Sequence, residues 1–236
     1  MNILGIDSSS IVATVAVLTQ EKLLAEYIVN NKKNHSEKLM LVLDRVLSDA
    51  DLSINDIDVI AVGKGPGSFT GIRIGMACAQ GLAHAAGKPM IGVNTLDALA
   101  YNLINAQGLL CPMINAQREE LYTSLYRWQD GKLVRLWDYE LIKADKLAER
   151  LLRIPEQIYI LGDGVNILLQ ANFKLDNVVL APRVSLMPKA SSVAMAALER
   201  YTSGEVDDCF NIRPFYIRRS NAEEKWEEIH GGKISR

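Results

Sequence analysis

The chain has 236 residues, 49% of them hydrophobic and 23% charged, a balance ordinary for a globular protein and incompatible with long disorder. At roughly 100–200 residues per domain it forms one large domain or two small lobes. The net charge of −2 offers no basic field to hold a nucleic acid, so any RNA role needs a partner that supplies cations.

Asn2–Ile6, Val12–Leu18 and Leu23–Val29 read as three strands joined by short polar breaks, most simply an antiparallel meander. Asp7 interrupts the first apolar run and no basic segment precedes it, so the opening is expected to be a strand rather than a signal peptide. No run approaches the ~18 apolar residues of a membrane span, and the cytoplasm is the expected location. Leu39, Val42, Leu43, Val46, Leu47 and Ala50 recur at helical spacing and predict a helix over His35–Ala50, with Asn34 or Ser36 as its cap. Val59–Gly63 is a buried strand that runs into the glycine loop KGPGSFTGIRIG and a helix to about Ala86. Gly87 and Pro89 stop that helix. A strand at Met90–Val93 and a helix from Thr95 to about Asn105 complete the half.

The second half begins alike. Strands are expected at Leu109–Ile114, Leu121–Trp128 and Leu133–Tyr139, the last after an Asp130–Gly131 turn. A helix around Asp145–Arg153 and a strand at Ile158–Gly162 follow. Superimposing the halves sets Asp7 opposite Asn115 and Val12–Leu18 opposite Leu121–Tyr126, a repeat in pattern rather than identity. Two related lobes are therefore expected, 1–104 and 105–209, followed by a segment 210–236 whose charged end, Glu223–Arg236, has the composition of a frayed tail.

Gly63–Gly71 lies between a buried strand and a helix, where backbone N–H groups can approach an anion. Lys64, Gly65, Gly67 and Ser68 are the candidate contacts. The spacing matches neither a P-loop nor a nucleophile elbow, and a plain strand-to-helix turn capped by Ser68 or Thr70 competes with the anion reading. Asp7 and Ser8, at the tip of the first two strands, either hold a hydrated Mg²⁺ and phosphate or close an Asx turn. The matching second-half tip, Asn115–Ala116–Gln117, has no carboxylate, which weakens a kinase-type mechanism. His35, His84 and His230 lie far apart, and Cys78, Cys111 and Cys209 form no C-x-x-C, so neither a metal set nor a catalytic constellation is legible.

Two helices point to a partner. Gly71, Gly75, Ala79, Ala83 and Gly87 recur every fourth residue, leaving one bare face for the chain's own sheet or for another helix. Leu39–Leu43 is apolar throughout, and Leu41 points away from the core-facing arc, which fits a second covered face.

The loop KGPGSFTGIRIG, the opening NILGIDSSS, the NHSEKLM helix start and Arg213–Arg218 together resemble the bacterial TsaB (YeaZ) family. These proteins act in forming threonylcarbamoyladenosine in tRNA. The resemblance implies an actin-like, ribonuclease-H-like (ASKHA) α/β fold of two related lobes, and no catalysis by this chain. It implies a scaffold that dimerises with and activates a TsaD-type transferase, a TsaE-type ATPase that joins them, and tRNA met only through the complex. ATP and Mg would be used by that complex, with no cofactor on this chain. His35, Leu39, Leu43, Gly71, Arg73, Gly75 and Ala79 would form the partner face, which also makes a homodimer when the partner is missing. Where the family shows Asp-Ala-Arg, this chain has Asn115–Ala116–Gln117. A small actin-like ATPase or kinase using Asp7 and Gly65–Ser68 is the alternative, and a peptidase lacks its nucleophile or metal.

Overall fold

The computed structural model describes residues 1–30, 35–171 and 173–218, without the side chains of 35–38. The Asn34 and Ser36 caps, the His35 side chain, His230 and the tail Glu223–Arg236 lie outside the described residues. The first sheet contains β1 (Asn2–Asp7), β2 (Val12–Thr19), β3 (Leu23–Asn30), β4 (Val59–Gly63) and β5 (Met90–Val93), in the order β3-β2-β1-β4-β5. β1, β2 and β3 form the expected meander, and β4 and β5 join it in parallel. The β-branched run of β2 is buried on both faces because helices cover both sides of this sheet. On its outer side lie α1 (His35–Asp49) and α2 (Phe69–Ala86), whose core-facing side chains pack on Leu4, Val15 and Ile60. Gly87 ends α2 in the left-handed conformation, φ 61°, as its position after the helix predicts.

From α3 (Thr95–Ala100) the chain passes into a second sheet containing β6 (Leu109–Asn115), β7 (Glu120–Thr123), β8 (Tyr126–Gln129), β9 (Lys132–Arg135), β10 (Glu140–Lys143), β11 (Ile158–Leu161) and β12 (Val178–Leu180). Its main path, β10-β7-β6-β11-β12, repeats the pairing senses of the first sheet strand for strand. α4 (Ala144–Leu151) and α5 (Val165–Gln170) cover its outer face. The single strand expected over Leu121–Trp128 is two strands, β7 and β8, that keep one register against β6: Met113 faces Thr123 and Leu110 faces Tyr126. Pro112 falls opposite Ser124 in that register and has no N–H to donate, so the ladder is interrupted there. β9 replaces the start of the strand expected at Leu133–Tyr139 and closes a hairpin with β8 through Asp130–Gly131, both at positive φ.

A final helix, α6 (Ala190–Thr202), corrects the expected lobe boundary. It lies within 105–209 by sequence but packs on β1, β2 and β4 of the first sheet, through Val193, Ala194 and Ala197. Reciprocally, α3 packs on β6 of the second sheet through Leu96, Leu99 and Ala100. The layers run helices, sheet, α3 and α6, sheet, helices, a two-lobed α/β architecture.

Candidate functional site

The β1–β2 tip and the glycine loop pack together as one unit. Asp7 is 0% exposed. Its Oδ1 accepts the Ser9 N–H at 3.0 Å and the Ser9 hydroxyl at 2.8 Å, while Oδ2 has no hydrogen-bond partner. Burial pushes its carboxyl up to about 6, against the lowering effect of the Ser9 bonds. Ser8 donates its hydroxyl to the Gly71 carbonyl at 2.7 Å, and the Ser68 N–H reaches the Ser9 carbonyl at 2.6 Å. Ser68 Oγ caps α2 by accepting the Gly71 N–H at 3.2 Å. A Cβ at Gly71 would stand 2.0 Å from the Ser8 carbonyl oxygen, and one at Gly75 2.4 Å from Ser8 Oγ. The glycines thus admit the chain's own tip. Asp7 and Ser9 close an Asx turn, and Ser68 caps α2.

The loop is also covered from outside. The segment Asp207–Arg218 runs as a strap from β5 to the second sheet. The Asp207 N–H bonds the Met90 carbonyl at 2.8 Å, Gln80 Nε2 holds the Cys209 carbonyl at 2.8 Å, and the Phe215 N–H bonds the Lys64 carbonyl at 2.7 Å. The Phe215 carbonyl oxygen sits 2.6 Å from where a Gly65 Cβ would be, so the strap's backbone fills the space a side chain would need at Gly65, whose φ is 103°. Tyr216 stacks on Phe69 at 4.8 Å, with Arg73 3.8 Å over the same ring and its Nε donating to Tyr216 Oη at 3.1 Å. Arg218 then donates to the Ala116 carbonyl at 2.6 Å and pairs with Glu120. Sequence reasoning missed this strap because nothing in its composition marks a long-range partner.

The outer face also needs correction. Leu39, Leu43 and Ala79 are buried in the first lobe's own core, and Gly71 and Gly75 face Ser8. The stripe at every fourth residue therefore belongs to the core, and these five residues offer no side chain to a partner. The surface lies between them. On α2 it is Arg73, Ala77, Gly81 and Ala85, all exposed, with open space over Gly81. On α1, Leu41 is 70% and Met40 51% exposed, and Met40 Sδ lies 3.4 Å from Cys78 Sγ. Leu41 is the outward leucine the sequence predicts.

Lys64 leaves the loop and lines a cavity of about 400 Å³ between α3, α6, the β8–β9 hairpin and the strap. There Asp97 accepts hydroxyls from Tyr126 at 2.7 Å and Tyr139 at 2.8 Å. Burial raises the Asp97 carboxyl and drives both phenols up. The Cys78 and Cys111 thiols are pushed by burial to about 11 and about 12, so neither is a ready thiolate at neutral pH. Among the described residues no three His, Cys, Asp or Glu side chains come together as a metal set, and no helix is long and apolar enough to cross a membrane.

Comparison with known proteins agrees with this architecture. Residues 22–226 match the family model of the tRNA N6-adenosine threonylcarbamoyltransferase TsaD. The tRNA threonylcarbamoyladenosine biosynthesis protein TsaB of Bacillus subtilis is 33% identical, covering 97% of this chain and 99% of its own length. Its Escherichia coli namesake is 28% identical, with 98% and 99% covered. YeaZ from Pseudomonas aeruginosa shares the fold at a TM-score of 0.78 and 23% identity, covering 91% of this chain and 99% of that one. At this identity and coverage, the chain belongs to the TsaB (YeaZ) family of tRNA threonylcarbamoyladenosine biosynthesis proteins.

Proposed function

We propose that this chain is a non-catalytic scaffold that dimerises with a TsaD-type transferase and activates it for forming threonylcarbamoyladenosine in tRNA. The transfer to the adenosine amine occurs on the partner. ATP and Mg²⁺ serve the complex rather than this chain, a TsaE-type ATPase joins it, and tRNA is reached only through the assembly. The observation that carries this reading is the closed glycine loop: Asp7 is sealed by Ser9 and Gly63, and Gly65 by Phe215. Ser8, Ser9 and Ser68, beside that loop, bond within the chain, and Gly65 packs on the Phe215 carbonyl. The α1–α2 face supports the docking role, because α1 exposes Leu41 and Met40, Met40 touching Cys78 of α2, and α2 leaves its backbone bare at Gly81 for close helix approach. The same face would make the homodimer when the partner is missing.

The test is an omission assay with tRNA, threonine, bicarbonate, ATP and the remaining components. Modified adenosine should form only with this chain present, and the chain alone should show no ATP turnover. Turnover by the isolated chain would favour the actin-like ATPase or kinase reading instead. Gly81→Leu or Leu41→Asp should weaken pairing with the transferase by one to two decades, about 1.4–2.8 kcal/mol, with the melting temperature unchanged. Unaltered affinity would move the interface elsewhere.

A further inference from the structure

The cavity between α3 and α6 lies on the opposite side of the first sheet from the α1–α2 face, and the complex-forming role leaves it unused. Its volume, about 400 Å³, falls in the usual range of small-ligand sites. Most of its charged groups are already committed. Arg200 donates to the Gly92 carbonyl at 3.0 Å and pairs with Asp207 at 3.3 Å and Glu205 at 3.2 Å. Asp97 is held by two phenols, and Glu199 takes the Tyr101 hydroxyl. An ammonium-bearing ligand would therefore meet two carboxylates whose acceptor sites are largely used.

The cations that remain are Lys64 and Arg135, the latter using part of its five-donor guanidinium on the Tyr139 hydroxyl. Lys64 lays its aliphatic stem over Gly92, where a Cβ would lie 3.0 Å from Lys64 Cδ. Arg135 lies 4.2 Å over the Tyr139 ring, and its carboxylate neighbour is the fully exposed Asp138 at 3.9 Å, a pair worth little in water. Both cations act electrostatically on Asp97, so they converge on one region. Beside Asp97, whose charge is already spread over hydrogen bonds from two phenols, stand two positive charges, while Glu199, the cavity's other carboxylate, is engaged with Tyr101. Tyr139 meets Phe215 edge to face at 5.4 Å and, with Leu133 and Ala196, supplies an apolar wall.

We infer that this cavity binds a small organic anion, its carboxylate or phosphate head between Lys64 and Arg135 and a flat apolar body against Tyr139, Phe215 and Ala196. Charge-assisted bonds to the head give orientation, and the aromatic wall excludes water from the body. Inorganic anions alone lack the second half of this recognition, and a nucleic-acid strand is too large for the enclosure.

The experiment titrates the full-length protein with phenyl phosphate and with benzoate, following backbone amide shifts by NMR. Inorganic phosphate and benzyl alcohol serve as head-only and body-only controls. At least one of the two probes should saturate in the millimolar range or below and bind at least about tenfold tighter than either control, with shifts centred on α3, α6 and β9. Whichever head binds more tightly identifies the ligand's acid. Lys64→Met and Arg135→Met, which keep the stems, should each weaken binding about tenfold without lowering the melting temperature, and Ala196→Leu should block it by filling the wall. Should Ala196→Leu fail to fold, the two methionine variants decide. Absence of saturable binding, equal affinity for inorganic phosphate, or full binding by both methionine variants overturns the assignment.

Discussion

The two lobes have the same strand order and the same turn at the same place, yet they are finished differently. In the first, Asp7 Oδ1 accepts the Ser9 N–H, and in the second Asn115 Oδ1 accepts the Gln117 N–H at 2.8 Å. Beyond that turn the first lobe adds an 18-residue helix that clamps the tip through Gly71 and Gly75. The second adds only the six residues of α5. Its tip is left exposed, with Gln117, Arg118 and Glu119 at φ of 66°, 53° and 61°. Left-handed backbone costs a non-glycine residue about 1–2 kcal/mol, so that tip needs support from elsewhere. One topology thus yields a lobe locked by its own loop and a lobe held by a distant strap.

Substituting the clamp should give the largest effect. Gly71→Val places a branched side chain against the Ser8 carbonyl, which is backbone and cannot rotate away. A loss of more than about 3 kcal/mol is expected, seen as a large fall in denaturation midpoint. The counterpart is Gly164→Ala in the second lobe. Its nearest obstacle, at 2.6 Å, is Leu121 Cδ2, the far end of a flexible side chain. A cost of only about 1 kcal/mol is expected there. Equal losses at the two sites would mean that the lobes are locked alike.

Next comes the carboxylate that the second lobe does without. Asp7 in the folded chain titrates at about 6 against an ordinary 3.8, so between these values the folded state holds a proton that the unfolded state has released. Stability therefore falls as pH rises through this window, by about 3 kcal/mol at most. Asp7→Asn keeps the acceptor for Ser9 and removes the buried charge. It should raise stability at pH 7 by up to that amount and have little effect below pH 3.8. Denaturant titrations of both proteins across this range would measure the gap. A gap that stays constant with pH would place the Asp7 carboxyl in a wetter environment than the structure shows.

The strand meander, the glycine-loop turn, the Gly87 stop and the repeat were legible in the sequence because each rests on local periodicity or on a single special backbone position. The Asp7–Asn115 correspondence was legible for the same reason. What escaped depends on partners far apart in the chain. Spacing alone shows that Gly71, Gly75 and Ala79 share a face, but only the position of Ser8 shows that this face is turned inward. α6 has a weakly amphipathic, alanine-rich sequence because it is buried between layers, so it carries little periodic signal. The cavity gathers Lys64, Asp97, Arg135 and Phe215 from four separate elements, and no short motif joins them.

The most local expected effect concerns the support of the exposed tip. Arg218 is 15% and Glu120 24% exposed in their side chains, between the regime of surface pairs, worth at most about 1 kcal/mol, and that of buried ones. Arg218 also donates to the Ala116 carbonyl at 2.6 Å, directly before the left-handed residues. Arg218→Met should therefore cost about 1–2 kcal/mol in total, and the loss should be local. Amide exchange should quicken from Gln117 to Glu119, while β1, β2 and α2 keep their protection, because their clamp lies wholly within the first lobe. Glu120→Gln keeps an acceptor for the guanidinium and should loosen the tip less than Arg218→Met does. If exchange at the tip is unchanged in both variants, the hairpin bonds between Ala116 and Glu120, at 2.9 Å, and between Glu120 and Gln117, at 3.0 Å, hold it unaided. The strap would then serve the glycine loop alone, and the second lobe would be as self-contained as the first.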